Sequence, residues 1–294
     1  MRVSSTMIFN QSVYNLNQRQ ETFFDLNEKV STGKRVNRPS DDPIDAGRIL
    51  GYRTLLDSIA QYQRNIDNGV TWLTYTESSL GDAERVFNDA KVLAEQMATG
   101  SYTAEQRDML VGQAEQLFEH LMQVGNTKVV DRYIFSGFKT DSQTFTRDNN
   151  FNVQYHGDNS KIKITVKQNV NFAVNTTGQR AFLDGKNLFN ILRDLRNALE
   201  TNDQEAIGDI LPEIDEALTQ LSKERAAVGT SMNEMEATKF ILEEFSLATE
   251  ALLSTTEDTD MIEAVTDLST HEVAFEAALK STSLITSLSL VNYV

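Results

Sequence analysis

The sequence has no cysteine in 294 residues. That excludes a disulfide framework, a thiolate metal site and a thiol nucleophile. Redox chemistry therefore does not fix the compartment, although a chain without thiols suits export. Proline is scarce, with 3 residues, and glycine is modest, with 14, which argues for long uninterrupted elements and against linker-rich chains. No apolar run approaches the ~20 residues of a membrane-spanning helix. The last 14 residues, STSLITSLSLVNYV, carry no charged side chain but are too few. After Met1-Arg2 the longest early apolar run is Met7-Ile8-Phe9, far short of the core of a secretory signal peptide. The expectation is no membrane span and, for an extracellular protein, a route out that reads no cleaved signal. Cations are also in deficit. The formal charge is −16, and residues 197–272 hold 19 acidic against 3 basic side chains. Such a field disfavours nucleic acid, whose affinity rests on neutralising phosphates, and reads as solvated helix faces. Residues 151–183 run the other way, with Lys161, Lys163, Lys167 and Arg180 against Asp158.

What is present is helical periodicity at both ends. Residues from about 5 to 31 place Phe9, Val13, Leu16, Gln20, Phe23, Asn27 and Val30 at 4-3 spacing, the pattern of a coiled-coil seam. Gly33 suits the left-handed position just past a helix. A second pattern, from Pro43 to about Met97, keeps the same spacing through Tyr52, Leu56, Ile59, Gln63, Ile66, Val70, Leu73, Glu77 and Leu80. Its length, far above the globular mean of about 11–12 residues, predicts a rod. Thr103-x-x-Gln106 predicts a capping box opening a third helix to Gly125-Asn126. The texture then changes. From Arg132 to Phe182 alternation and turn chemistry predict a small β insertion, with Ile162, Ile164 and Val166 facing inward along one strand and Gly157–Ser160 as a hairpin turn. Helices resume near Leu188, with Asn202-x-x-Glu205 as a cap. A last helix runs from about Asp260, its face including Val265, Leu268, Phe275, Leu279, Ile285, Leu288 and Val291. The fold class is α+β: a long antiparallel helical, coiled-coil bundle made from both chain ends, with a small β-rich domain inserted in the middle. Apolar seams at both extreme ends suit helices completed by neighbouring copies.

The motifs that could carry chemistry fail on their own terms. Gly33-Lys34 resembles part of a phosphate loop, but Glu28 stands where the first glycine belongs and Arg35 where the magnesium-ligating hydroxyl belongs. His271-Glu272 lacks the second histidine of a zinc-protease helix, because Phe275 occupies it. Asp258–Glu263 lacks the glycine and third oxygen ligand of a calcium loop, and reads instead as a cap through Asp258 or Asp260. No nucleophile–base pair stands out, so no catalytic, cofactor or metal site is expected. The stretch VSTGKRVNRPSDDP is better read as a joint. Gly33 ends one helix, Lys34, Arg35, Arg38 and Pro39 make a basic turn, and Asp42 and Pro43 begin the next helix as N-cap and first helical residue.

The residues also carry a resemblance. The N-terminal helix with VSTGKRVNRPSDDPIDAGRI resembles the N-terminal block of bacterial flagellins and flagellar hook-associated proteins, and EVAFEAALKSTSLITSLSLVNYV resembles their C-terminal helix. RYIFSGFKTDSQTF, VQYHGDNSKIKITV and NTTGQRAF resemble the hook–filament junction members of that family. Lys34 and Arg35 make the turn more basic than in many flagellins, and the tail ends in Asn-Tyr-Val rather than in leucines. The resemblance implies a non-enzymatic structural subunit of the extracellular flagellum, exported through the type III apparatus. It implies assembly with copies of itself into a ring, with the first hook-associated junction protein and flagellin as neighbours and an export chaperone on the C-terminal helix. It implies an inner coiled coil of 1–35 with 258–294, a helical rod of 36–130 with 186–257, and an outer β-rich domain of 131–185. Phe9, Val13, Leu16, Phe23, Val30, Phe275, Leu279, Ile285, Leu288 and Val291 are the expected subunit-interface residues. Lys34, Arg35 and Arg38 are expected to meet acidic groups of a neighbouring subunit. A filament flagellin, or an exported coiled-coil adaptor with no polymer role, are the alternatives.

Overall fold

The computed structural model describes residues 5–99 and 102–291, with side chains for 7–99 and 102–284. Among the described residues there are seven α-helices: α1 (Ser5–Thr32), α2 (Pro43–Met97), α3 (Ala104–Met109), α4 (Val111–Gly125), α5 (Leu188–Glu200), α6 (Gln204–Glu257) and α7 (Met261–Val291). Between α4 and α5 lie six short strands and a π-helical turn at Gln179–Leu183. The chain forms two compact units, one of residues 1–58 with 244–294 and one of residues 59–243. The division falls inside α2 and α6 rather than at element boundaries.

In the larger unit, α2 buries every seventh residue. Ile59, Ile66, Leu73, Leu80 and Phe87 are each at most 2% exposed. They are one alternate set of the 4-3 spacing the sequence predicted; the other, at Leu56, Gln63, Val70 and Glu77, is half-buried. The facing stripe on α6 is Ile207, Ile210, Ile214, Ala217, Leu221, Val228, Met235 and Leu242. Asp67 pairs with Lys239 at 2.7 Å, Glu84 with Arg225 at 2.5 Å and Lys91 with Asp215 at 2.7 Å. Numbers rise on one helix as they fall on the other, so the two run antiparallel. These partly exposed pairs contribute about 0–1 kcal/mol each; the apolar seam supplies the stability and the charges fix the register. One seam position breaks the pattern: Glu224 is buried among apolar neighbours in the α6 stripe.

The β region consists of three separate antiparallel pairs. These are β1 (Lys128–Val129) with β2 (Arg132–Tyr133), β3 (Phe145–Arg147) with β4 (Val153–Tyr155), and β5 (Lys163–Lys167) with β6 (Val170–Ala173). Two-stranded pairs are marginal alone, and β3–β4, with the segment just past β2, is held by a phenylalanine cluster. Phe145 meets Phe182 edge-on at 5.6 Å and Phe189 at 4.9 Å, and Phe135 meets Phe182 at 5.0 Å. Phe189 comes from α5 and Phe182 from the π-helical turn, so helices and strands share one core. The β5–β6 hairpin lies against Gly69 of α2, where an added Cβ would stand 2.6 Å from Ile164 Cδ1 and 3.0 Å from Val174 Cγ1.

Four local expectations differ from the structure. Gly157–Ser160 does not turn a hairpin, because β4 pairs with β3 and β5 with β6; Asp158 instead accepts the N–H groups of Phe138 and Ser160 at 3.0 and 2.9 Å. The helix opened by the Thr103–Gln106 capping box breaks at Leu110, whose N–H turns back to Arg107 O. The cap of α6 is Asp203, which accepts Ala206 N–H at 3.0 Å. Asn202 is left-handed, with φ 55°, and its side chain accepts from Arg107. On α1, Leu26 is half-buried and Asn27 exposed, so Leu26 holds the seam position expected of Asn27.

Candidate functional site

The candidate site lies in the smaller unit, where the terminal helices pair and the joint closes beneath them. Helix α1 ends because Gly33 adopts φ 71°, with its N–H returning to Lys29 O at 2.9 Å. An added Cβ at Gly33 would meet nothing within 4 Å, so the requirement is conformational rather than steric. Arg38 to Asp41 form a turn with Pro39 at its second position, closed by Asp41 N–H to Arg38 O at 3.0 Å. Asp42 accepts the N–H groups of Ile44 and Asp45 at 3.1 and 3.0 Å, and Pro43 is the first residue of α2, as the sequence predicted. Those donors, chiefly the Asp45 N–H, hold the Asp42 carboxyl below the ordinary carboxylate range. Asp41 is held low in the same way, chiefly by the Arg38 N–H.

The basic turn docks on the end of α6. Arg35 N–H donates to Glu257 O at 2.7 Å, and Thr259 N–H donates to Gly33 O at 3.0 Å. Lys34 and Asp258 form an isolated antiparallel bridge. Glu257 is the centre of the joint. Its side chain is buried and takes both Lys34 Nζ and Arg53 Nη2 on one oxygen. Arg35 reaches Asp45 and donates to Thr256 O at 2.8 Å; the Asp45 bond is the main cause of its raised pKa. Arg38 pairs with Glu28 at 2.8 Å. Each of the three expected cations therefore has an acidic partner in its own chain. Sequence reasoning missed Glu257 and Arg53, because nothing local separates Glu257 from the other carboxylates of an acidic helix.

Above the joint α1 and α7 run antiparallel. The inward residues of α7 are Ala264, Leu268, His271, Phe275, Ala278 and Thr282, a 4-3-4-3-4 spacing. They face Val13, Leu16, Phe23, Leu26 and Val30 of α1, all half-buried. Phe23 and Phe275 stack with centroids 6.1 Å apart and planes 11° from parallel. The alanines let the backbones approach, and the rings close the seam between them. Of the expected interface residues, Val13, Leu16, Phe23, Val30 and Phe275 meet across this pair. Phe9 is 38% and Leu279 44% exposed, so each keeps open apolar surface. The side chains of Ile285, Leu288 and Val291 lie outside the described residues. Among the described residues of α1, none from Met7 to Thr32 is fully buried. Ile262, Val265 and Val273 of α7, with Tyr14 and Phe24 of α1, remain exposed apolar surface. Among the described residues no cluster of His, Cys, Asp and Glu is placed to hold a metal ion, and no helix is long and apolar enough to cross a membrane.

A half-covered coiled coil made from both chain ends, joined by a capped turn to long paired helices with a strand-rich insert, defines a flagellin-type structural subunit. The chain belongs to the bacterial flagellin family: residues 3–140 match the bacterial flagellin N-terminal helical region and residues 211–294 the bacterial flagellin C-terminal helical region. It is 25% identical to flagellar hook-associated protein 3 of Escherichia coli K12, over 99% of this chain and 98% of that one. It is also 25% identical to a flagellar filament 30.7 kDa core protein of Treponema maltophilum, over 86% of this chain and 84% of the relative. The fold is that of the flagellar hook-associated protein 3 of Legionella pneumophila, with TM-score 0.64 and 16% identity over 70% of this chain and 98% of that one. These relatives are structural proteins of the bacterial flagellum, an extracellular appendage, rather than enzymes.

Proposed function

We propose that this protein is a hook–filament junction subunit, which assembles into a ring between the hook-side junction protein and the flagellin filament. The observation that carries the reading is end-to-end similarity to a hook-associated protein 3, with 99% of this chain and 98% of the relative covered. The filament core protein reaches equal identity only over 86% of this chain, and the Listeria monocytogenes flagellin that aligns over 96% does so at 20% identity, so identity and length taken together favour the junction over the filament. The open faces of α1 and α7 support self-assembly. A two-helix coil that buries no α1 side chain completely gains little from its own seam, and isolated helices of this kind are marginal in water. Neighbouring copies would cover Phe9, Tyr14, Phe24, Val265 and Leu279. In that ring, residues 1–35 with 258–294 form the inner coiled coil, 36–130 with 186–257 the helical layer, and 131–185 the outer β-rich part. Export without a cleaved signal, with a chaperone on the C-terminal helix until assembly, belongs to the same reading.

A strain lacking this gene tests it. A junction subunit predicts non-motile cells with intact hooks and abundant flagellin released into the medium. Absence of flagellin from both cell surface and medium would identify the filament subunit instead. Normal motility would leave an adaptor with no polymer role.

A further inference from the structure

The larger unit contains a cleft of about 280 Å³, lined by residues other than those of the terminal helix pair and its joint. Its floor is one face of α6, where Glu224, Ala227, Val228 and Ser231 follow helical spacing, together with Leu73 of α2. Its walls are the loop carrying Asn159 and Lys161 and the segment from Ala173 to Thr177, and Arg180 and Asp184 stand at the rim. Arg180 projects from the π-helical turn, a rare backbone form that is frequent at functional sites.

The walls are fixed before any ligand arrives. Asn175 is 8% exposed; its side chain accepts Ile162 N–H at 2.7 Å and donates to Ser160 O at 3.0 Å. Tyr155 Oη reaches Asp158 O at 2.8 Å. Glu224, 6% exposed, takes Arg180 Nε at 2.9–3.0 Å, which fixes the guanidinium and leaves its outer nitrogens toward solvent. Among the described residues Lys161 has no acidic partner. Pre-organisation of this kind lowers the ordering cost of binding.

The lining selects the chemistry. Two cations, Lys161 and Arg180, are balanced by two anions, Asp184 and Glu224, so neither an anion nor a cation is favoured by net charge. The walls offer donors and acceptors side by side, whereas the floor presents the apolar Ala227, backed by the almost fully buried Val228 and Leu73. A sugar ring has that complement: an apolar C–H face, and hydroxyls that donate and accept at once. We propose that this cleft binds one ring of an uncharged glycan. The volume lies at the small end of ligand sites, which suits a single ring with the rest of the chain outside.

The test is heteronuclear NMR titration of the full chain with a panel of neutral methyl hexosides and N-acetylhexosaminides, and with the matching neutral oligosaccharides. Expected are saturable shifts with a millimolar dissociation constant, confined to residues 159–184 and 224–231. Ala227 is exposed on the floor, so Ala227→Phe fills the cleft without altering a buried contact. It is expected to weaken binding at least about tenfold at unchanged melting temperature, and Lys161→Met is expected to weaken it less. Equal affinity for the methyl glycoside and the longer chain identifies a single-ring site; tighter binding of the longer chain adds contacts at the mouth. No saturable shift with any neutral sugar, or binding that survives Ala227→Phe, overturns the proposal.

Discussion

At the residue scale the joint turns on one carboxylate. Glu257 is 4% exposed, whereas Lys34 and Arg53 are 40% and 51% exposed along their side chains. Removing one partner of a fully buried pair costs about 3–5 kcal/mol, but water screens both cations here. Glu257→Gln is therefore expected to cost only about 1–2 kcal/mol by chemical denaturation, with motility falling further than stability. Asp42 gives a different readout. Its folded pKa lies below the ordinary 3.8. A depressed carboxyl contributes stability that is fully present above its unfolded pKa and lost as pH falls through the folded one. Asparagine caps helices about as well as aspartate but does not titrate. Asp42→Asn should therefore change stability little at pH 7 and flatten its decline below pH 3.8 in acid titrations followed by circular dichroism.

At the element scale the two helical seams differ in kind, that of α1 with α7 being only half-buried. The α2–α6 seam is built of fully buried residues at heptad spacing, and Gly69 sits on it under the β5–β6 hairpin. Gly69→Val would drive a branched side chain into Ile164 and Val174, so it is expected to destabilise by about 1–3 kcal/mol through overpacking. Gly81→Ala, whose nearest neighbour is Arg225 at 3.6 Å, should instead stabilise by up to about 1 kcal/mol of helix propensity. Opposite shifts in melting temperature check the pair. The long helices were legible because their signals are redundant: caps at Asp42-Pro43 and Asp260, and a period repeated at Ile59, Ile66, Leu73, Leu80 and Phe87. Signals carried by one residue were not. Asn27 and Leu26 are adjacent, and a polar residue at either slot fits a diluted seam, so only packing against α7 selects Leu26. Asn202 and Asp203 are both good caps, and the left-handed backbone at Asn202 decides between them. The Gly157–Ser160 stretch has turn composition, but pairing between distant strands, not local composition, sets which loop joins a hairpin. Glu257 was illegible for the same reason: its partners Lys34 and Arg53 are more than 200 residues away in sequence.

At the scale of the whole molecule the contrast between the units bears on how assembly is timed. The 59–243 unit has a fully buried core of its own, including five phenylalanines with essentially no exposure where strands and helices meet, although Val130, Phe138, Phe240 and Ile241 stay exposed. The terminal pair of α1 and α7 does not: its seam is half-buried, His271 and Thr282 interrupt it, and Phe24, Val265 and Val273 stay in water. A helix pair with so little buried area gains too little to offset the backbone entropy of ordering, about 1–2 kcal/mol per residue. In the assembly proposed above, ordering of the ends should therefore depend on neighbouring copies, which would restrain polymerisation until subunits meet. The expected outcome is that hydrogen exchange in the free subunit is fast throughout 5–32 and 261–284 and slow through 59–97 and 204–243. Removing 30 residues from each end should leave the melting temperature of the remaining chain almost unchanged, while total helix content falls by less than the lost length predicts. Protected termini in the free subunit, or a melting temperature that drops on trimming, would mean that the arms fold on their own and do not wait for neighbouring copies.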